Sequence, residues 1–336
     1  MPSEGEKRSS GGRGTVERHP LDSSPSNSSS GSLQPPISYR QSPSGNDRLR
    51  PIYRVLLFAG LAVFLIFLAN ALVASIGSAL HKPEQWFMQG APLAAFYALT
   101  CAALLLESSF FLRTIDQRSF RTLGLWFYPR WGRELSQGVG LGAGLMVVMV
   151  GILFAIGGVG YSGLASGGTR ALLGILGAAG VMLLAAVFEE VAFRGYAFQR
   201  MVDAAGPIVA AAVFSGLFGA LHLSNPSATP LSTANTALAG VLFSLAYLKT
   251  RGLWLPIGLH WAWNFTMGPI FSLPVSGMRF GPTLLRSQLT GAKWLTGGAY
   301  GPEGGAITTV VCVAAIFWLA RTQRFAPSPA MEEALK

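Results

Sequence analysis

The sequence predicts an all-α, polytopic integral membrane helix bundle with about eight transmembrane helices. Three observations carry this fold class. Hydrophobic residues make up 51% of the 336 and charged residues only 12%, against roughly a quarter charged in an ordinary soluble domain. Apolar segments close to the ~20 residues needed to cross a hydrocarbon core recur along the chain, and the helix is the spanning form that satisfies its own backbone. Finally, an even number of spans sorts the basic residues: 20 of the 25 Lys and Arg fall on the side of the N-terminus and 5 on the other, the asymmetry expected when both termini are cytoplasmic.

Residues 1–49 are rich in Ser, Gly, Pro and charge, with "SSPSNSSSGS" at the centre. Such a segment cannot bury enough apolar surface to fold and is expected to be a disordered cytoplasmic tail. It lacks the short apolar core of a signal peptide, so the first span doubles as the insertion signal. Residues 50–170 hold the N-terminal helices, with spans expected near 54–80, 92–112 and 138–160 and a cytoplasmic loop between the second and third. That loop mixes Arg with Phe and Trp, as an interfacial segment does. Spans near 171–193, 207–225, 231–249 and 253–272 form a membrane core over 171–272. Residues 273–336 supply an external loop, a last span near 305–320 and a short cytoplasmic tail. The net charge of +10 lies at helix ends rather than on one face, which argues against a nucleic-acid partner. Cys101 and Cys312 fall within apolar spans and read as buried free thiols.

Chemistry concentrates where charge enters the membrane, because an ionisable side chain there costs at least a few kcal/mol and marks a functional site by default. In "VMLLAAVFEEVAFRGYAFQRM", Glu190 and Arg194 stand at i, i+4 and can neutralise each other, while Glu189 points about 100° away around the helix. His222 lies in "FSGLFGALHLSNP", with Phe218 on the same face. His260 and Asn264, again i, i+4, lie in "LPIGLHWAWNFTM". The turn after the fourth span is expected at residues 203–206, with Pro207 opening the next helix. Glu189 and His222 then lie level, roughly 22–26 Å from that turn at 1.5 Å per residue. His260 and Asn264 are expected shallower, roughly 12–18 Å from an inner turn near Gly252. Glu107, near the inner boundary of the second span, is expected to reach water and is not counted in the site.

"EEVAFR", "FGALH" and "HWAWN" read as E-E-x-x-x-R, F-x-x-x-H and H-x-x-x-N, in that order and each in an apolar segment. Over residues 171–272 this resembles the CPBP intramembrane proteases, the group containing the CaaX prenyl endoprotease and the abortive-infection proteins. The resemblance implies an endopeptidase acting on a membrane-associated peptide or protein. It implies that Glu189 and His222 polarise the attacking water, that His260 and Asn264 hold the oxyanion, and that Glu190 with Arg194 is the supporting ion pair. These are residue types that amide hydrolysis requires: a base for water, and donors aimed at the developing oxyanion.

No cofactor is required on this reading. Zinc on Glu189, His222 and His260, a His2Glu set, is the alternative, against which stands the absence of an H-E-x-x-H pair. The expected partners are the substrate and the lipid bilayer, in a prokaryotic plasma membrane with both termini cytoplasmic. A proton-coupled carrier would show two repeated halves, whereas these intramembrane charges all lie in the second half. A non-enzymatic immunity or scaffold protein that retains the site is the other alternative.

Overall fold

The computed structural model describes residues 51–336 apart from 84–85, 87–89 and 166; the expected tail, 1–49, lies outside the described residues. The principal helices follow the apolar segments in order: α1 (Pro51–Ala79), α2 (Gly90–Phe110), α3 (Trp131–Ala155), α4 (Thr169–Arg194), α5 (Tyr196–Leu221), α6 (Pro230–Thr250), α7 (Trp254–Phe265) and, after the four-residue α8 (Lys293–Thr296), α9 (Ala306–Arg321). A short α10 (Pro329–Ala334) follows. The chain is an integral membrane helix bundle. Leu56, Phe67, Leu106 and Val310, all large and apolar, are exposed, which suits a lipid environment.

On length and apolarity five helical stretches among the described residues suffice to cross a membrane, so the count of eight is not confirmed: 51–79, 90–115, 131–155, the nearly continuous 169–224, and 230–250. The fourth and fifth expected spans merge in this tally because Gly195 interrupts the path for a single residue. At 12 and 16 residues, α7 and α9 are shorter than the roughly 20 residues a crossing takes.

Local chemistry explains the breaks. The turn expected at 203–206 is a kink inside α5, where Gly206 adopts φ 84° and Pro207 restarts the helix; proline has no N–H to lose there. Thr229 and Ser232 exchange hydrogen bonds in a capping box ahead of α6, with Pro230 in the first turn. The third expected span stops at Ala155. Residues Val159–Leu164 form strand β1, which pairs antiparallel with β2 (Leu285–Leu289) in a two-stranded sheet. These few paired residues were hidden inside an apolar run.

The helix that matters most for position is α7. It crosses α3 through glycines: a Cβ on Gly138 would collide with the Leu255 carbonyl, on Gly142 with that of Leu259, and on Gly258 with that of Leu135. Small residues let the two backbones touch, the usual way membrane helices gain packing. At the start of α7 the Leu253 amide donates to the Gly124 carbonyl at 2.9 Å, and Trp254 Nε1 donates to the Trp126 carbonyl at 2.9 Å. The Arg- and Trp-rich loop thus serves as a seat for α7. Replacing Gly258 with alanine is expected to force α3 and α7 apart and cost about 1–3 kcal/mol. A lowered thermal midpoint in detergent would register it; an unchanged midpoint would refute this account of the crossing.

At the end where α1 and α5 begin, Asp116 accepts from Arg54 at 2.8 Å and faces Arg200 at 3.5 Å, and Arg200 meets Asp203 at 2.8 Å. Arg200, Arg54 and Asp116 are almost wholly buried, so this cluster ties α1, the α2–α3 connection and α5 together. Glu107 does not reach water as expected: it is 4% exposed and neither carboxylate oxygen has a hydrogen-bond partner among the described residues. The α2 face it occupies is covered by protein, which helical spacing alone does not reveal. Cys101 and Cys312 are buried and free.

Candidate active site

Near its C-terminal end α4 presents two adjacent carboxylates to different surroundings. Glu190 turns inward and is fully buried with Arg194, whose Nη1 donates to Glu190 Oε1 at 3.1 Å. The same guanidinium donates through Nη2 to the Gly240 carbonyl at 2.8 Å and lies over the rings of Phe218 and Phe243. A buried cation with a paired carboxylate, a carbonyl and aromatic faces is satisfied on every side.

Glu190 has a second partner that i, i+4 reasoning on one helix could not supply. His260 Nδ1 donates to Glu190 Oε1 at 2.8 Å, so one carboxylate oxygen collects both Arg194 and His260. The imidazole is clamped further by stacking on Phe243, with centroids 4.6 Å apart and planes 16° apart. With Nδ1 committed, Nε2 is left facing Glu189, 3.7 Å from its Oε2. Glu189 is the more open of the two carboxylates, its side chain 21% exposed. Its Oε2 is itself buried and has no hydrogen-bond partner among the described residues, so the exposed part of the side chain lies on its other atoms.

His222 sits where α5 ends and opens the turn His222–Ser224. Its Nδ1 lies 2.7 Å from the Phe218 carbonyl. A carbonyl can only accept, so this bond puts the proton on Nδ1 and leaves the Nε2 lone pair free. Asn264, one turn after His260 on α7, is half-buried. Glu189, His222, His260 and Asn264 all line one cavity of about 680 Å³, whose other walls are apolar side chains such as Phe58, Phe188, Phe214 and Phe218. The candidate site residues are therefore brought together: these four around the cavity, Glu190 and Arg194 behind it.

The expected depth difference for His260 does not hold. The expectation counts residues 190–206 as one continuous helix, whereas α4 ends at Arg194 and residues 196–205 form a separate stretch. His260 consequently meets both glutamates directly. The cavity also takes residues the motifs did not point to, among them Tyr97, Asn225, Asn235, Ser276 and Glu303. Glu303 and Ser276 lie in the connection between α7 and α9, where a charge reads as solvated; no local signal marks them. Burial and the Glu303 carboxylate push the Tyr300 phenol up from its usual range, so it stays protonated, its hydroxyl 3.4 Å from that of Thr236.

Among the described residues no group of three or more His, Cys, Asp or Glu side chains could hold one metal ion. Glu189 and His260 are close enough to share one, but His222 does not join them into a three-ligand cluster, so as placed the His2Glu set does not fit zinc.

No curated protein and no solved structure matches the chain. Residues 170–266, which contain Glu189, Glu190, Arg194, His222, His260 and Asn264, match the family model described as "Rce1-like: Type II CAAX prenyl endopeptidase Rce1-like". Over this stretch, which supplies many of the residues that line the cavity, the chain is similar to that family.

Proposed function

We propose that this chain is a CAAX-protease-like intramembrane endopeptidase that hydrolyses a peptide bond in a membrane-associated peptide or protein. The observation that carries the reading is the convergence of Glu189, His222, His260 and Asn264 on one cavity within a bundle of apolar helices. The Glu189 carboxylate takes a proton from a water that the His222 Nε2 lone pair helps to orient. The water oxygen bonds to the substrate carbonyl carbon, and the developing oxyanion is met by the Asn264 amide and, when its Nε2 carries a proton, by His260. Collapse breaks the C–N bond, and the proton held by Glu189 passes to the departing amine. Glu190 and Arg194 act behind this set by holding the His260 ring. A largely apolar cavity suits substrate segments that are themselves apolar near the scissile bond. Residues 171–272 are the catalytic core on this reading, and both termini face the cytoplasm of a prokaryotic plasma membrane.

The test is peptide cleavage by detergent-purified protein against a broad peptide library, with and without a strong chelator. Wild type is expected to cleave, and the chelator to leave turnover unchanged within about twofold, because the three expected ligands do not assemble. Loss of turnover on chelation with recovery on adding zinc would reverse the metal-free part of the proposal. Failure of wild type to cleave any peptide would instead favour a protein that keeps the site and acts by binding.

A further inference from the structure

Residues 273–305, between α7 and α9, are more than a connection. They lie outside the stretch that matches the family, yet Val275, Ser276, Met278 and Glu303 line the same cavity as the candidate catalytic residues. Glu303 joins this segment to the bundle. Its Oε1 accepts from Trp263 Nε1 at 2.9 Å, and its Oε2 accepts from the Ser276 amide at 2.6 Å and from Ser276 Oγ at 2.9 Å. Its main-chain carbonyl accepts from Asn235 Nδ2 on α6 at 2.8 Å. Trp263 is buried and directly precedes Asn264.

The segment also touches the turn that carries His222. Gly277, at φ +85°, lies so close to Pro226 that a Cβ there would strike the Pro226 carbonyl, and its amide donates to the Tyr300 carbonyl at 2.8 Å. Pro226 follows Asn225, whose amide closes the turn onto the His222 carbonyl at 3.1 Å. One carboxylate therefore fastens a cap that bears on α7 at Asn264 and on the turn at His222.

We propose that Glu303 is a positioning residue of the hydrolytic site, latching residues 273–305 so that Asn264 and the His222 turn keep their places around the cavity. The proposal rests on the endopeptidase reading. Glutamine at 303 offers one acceptor oxygen and turns N–H donors toward a partner that is itself a donor, so at least one of the three bonds is lost. Misplacement of reacting groups by about an ångström can cost up to 10²-fold in rate. Glu303→Gln is therefore expected to lower kcat about 10-fold with KM held within about twofold, since the apolar walls are untouched.

The test pairs this variant with Trp263→Phe, which removes the N–H and keeps a ring. If both act through the one bond, the double variant is no slower than the slower single variant. In parallel, an added soluble protease is applied to each variant in lipid vesicles, and cuts within 273–305 are read by mass spectrometry. Glu303→Gln is expected to be cut about 10-fold faster than wild type. Unchanged kcat, additive losses in the double variant, or unchanged protection would each overturn the proposal. Should Glu303→Gln fail to fold, Ser276→Ala takes its place, with about a threefold loss of kcat and faster cutting expected; wild-type values for both would overturn it. If wild type cleaves no peptide, the endopeptidase reading has failed and the positioning role goes with it, while the protection assay separately reports whether the latch exists.

Discussion

Glu189→Gln is expected to reduce peptide cleavage by about 10²–10⁴-fold, the range that removal of a general base produces, without loss of the folded protein. Glu189 is the carboxylate of its pair that is free to react. Glu190 is fully buried with its Oε1 occupied by Arg194 and His260, whereas Glu189 lines the cavity, its side chain 21% exposed and its Oε2 3.7 Å from His260 Nε2. Glutamine preserves the shape and removes the proton acceptor, so wild-type thermal stability in detergent should accompany the lost turnover. His222→Ala is expected to fall in the same direction. The imidazole is half-buried at a helix end, and its one hydrogen bond among the described residues is to its own helix, so little of the fold depends on it. Cleavage within threefold of wild type in both variants would remove these two residues from the chemistry, and with them the proposed mechanism.

The largest effect on stability is expected at Arg194. Arg194→Met leaves Glu190 as a fully buried carboxylate without its cation, a loss of about 3–5 kcal/mol for a broken buried pair. Lysine is not expected to rescue it, because a single ammonium cannot span Glu190, the Gly240 carbonyl and Ser244 as the planar guanidinium does. The double variant Glu190→Leu, Arg194→Met removes both charges and should recover much of the stability. It should remain inactive, since the Glu190 oxygen that holds His260 Nδ1 at 2.8 Å is gone. Thermal unfolding and turnover measured on the same preparations separate the two roles. A single variant as stable as wild type, or an active double variant, would refute the account in which this pair carries both the packing and the orientation of His260.

Much of this protein is determined by its sequence read alone. Half of its residues are hydrophobic, and apolar runs of membrane length leave no soluble fold available, so the helix bundle and the order of its helices follow from composition and spacing. The Glu190–Arg194 pair is equally legible, because i, i+4 geometry is a property of one helix and needs no knowledge of its neighbours. Pro207 after Gly206 likewise marks a break in the helix, though the structure makes it a kink inside α5 rather than the turn between two spans.

Contacts between helices belong to the tertiary structure, since helical periodicity gives the face of a residue but not the register of one helix against another. Glu190 and His260 are 70 residues apart, and the packing of α7, by its glycine-mediated crossing of α3 and its seat on the loop before α3, brings them together. That packing makes Glu190 a three-residue cluster rather than a pair and leaves Glu189 facing the cavity. The burial of Glu107, the strand pairing of 159–164 with 285–289 and the return of Glu303 to the cavity depend in the same way on distant segments. A charge in a loop or at a helix end looks solvated until the packing around it is known, and packing is a property of the assembled bundle.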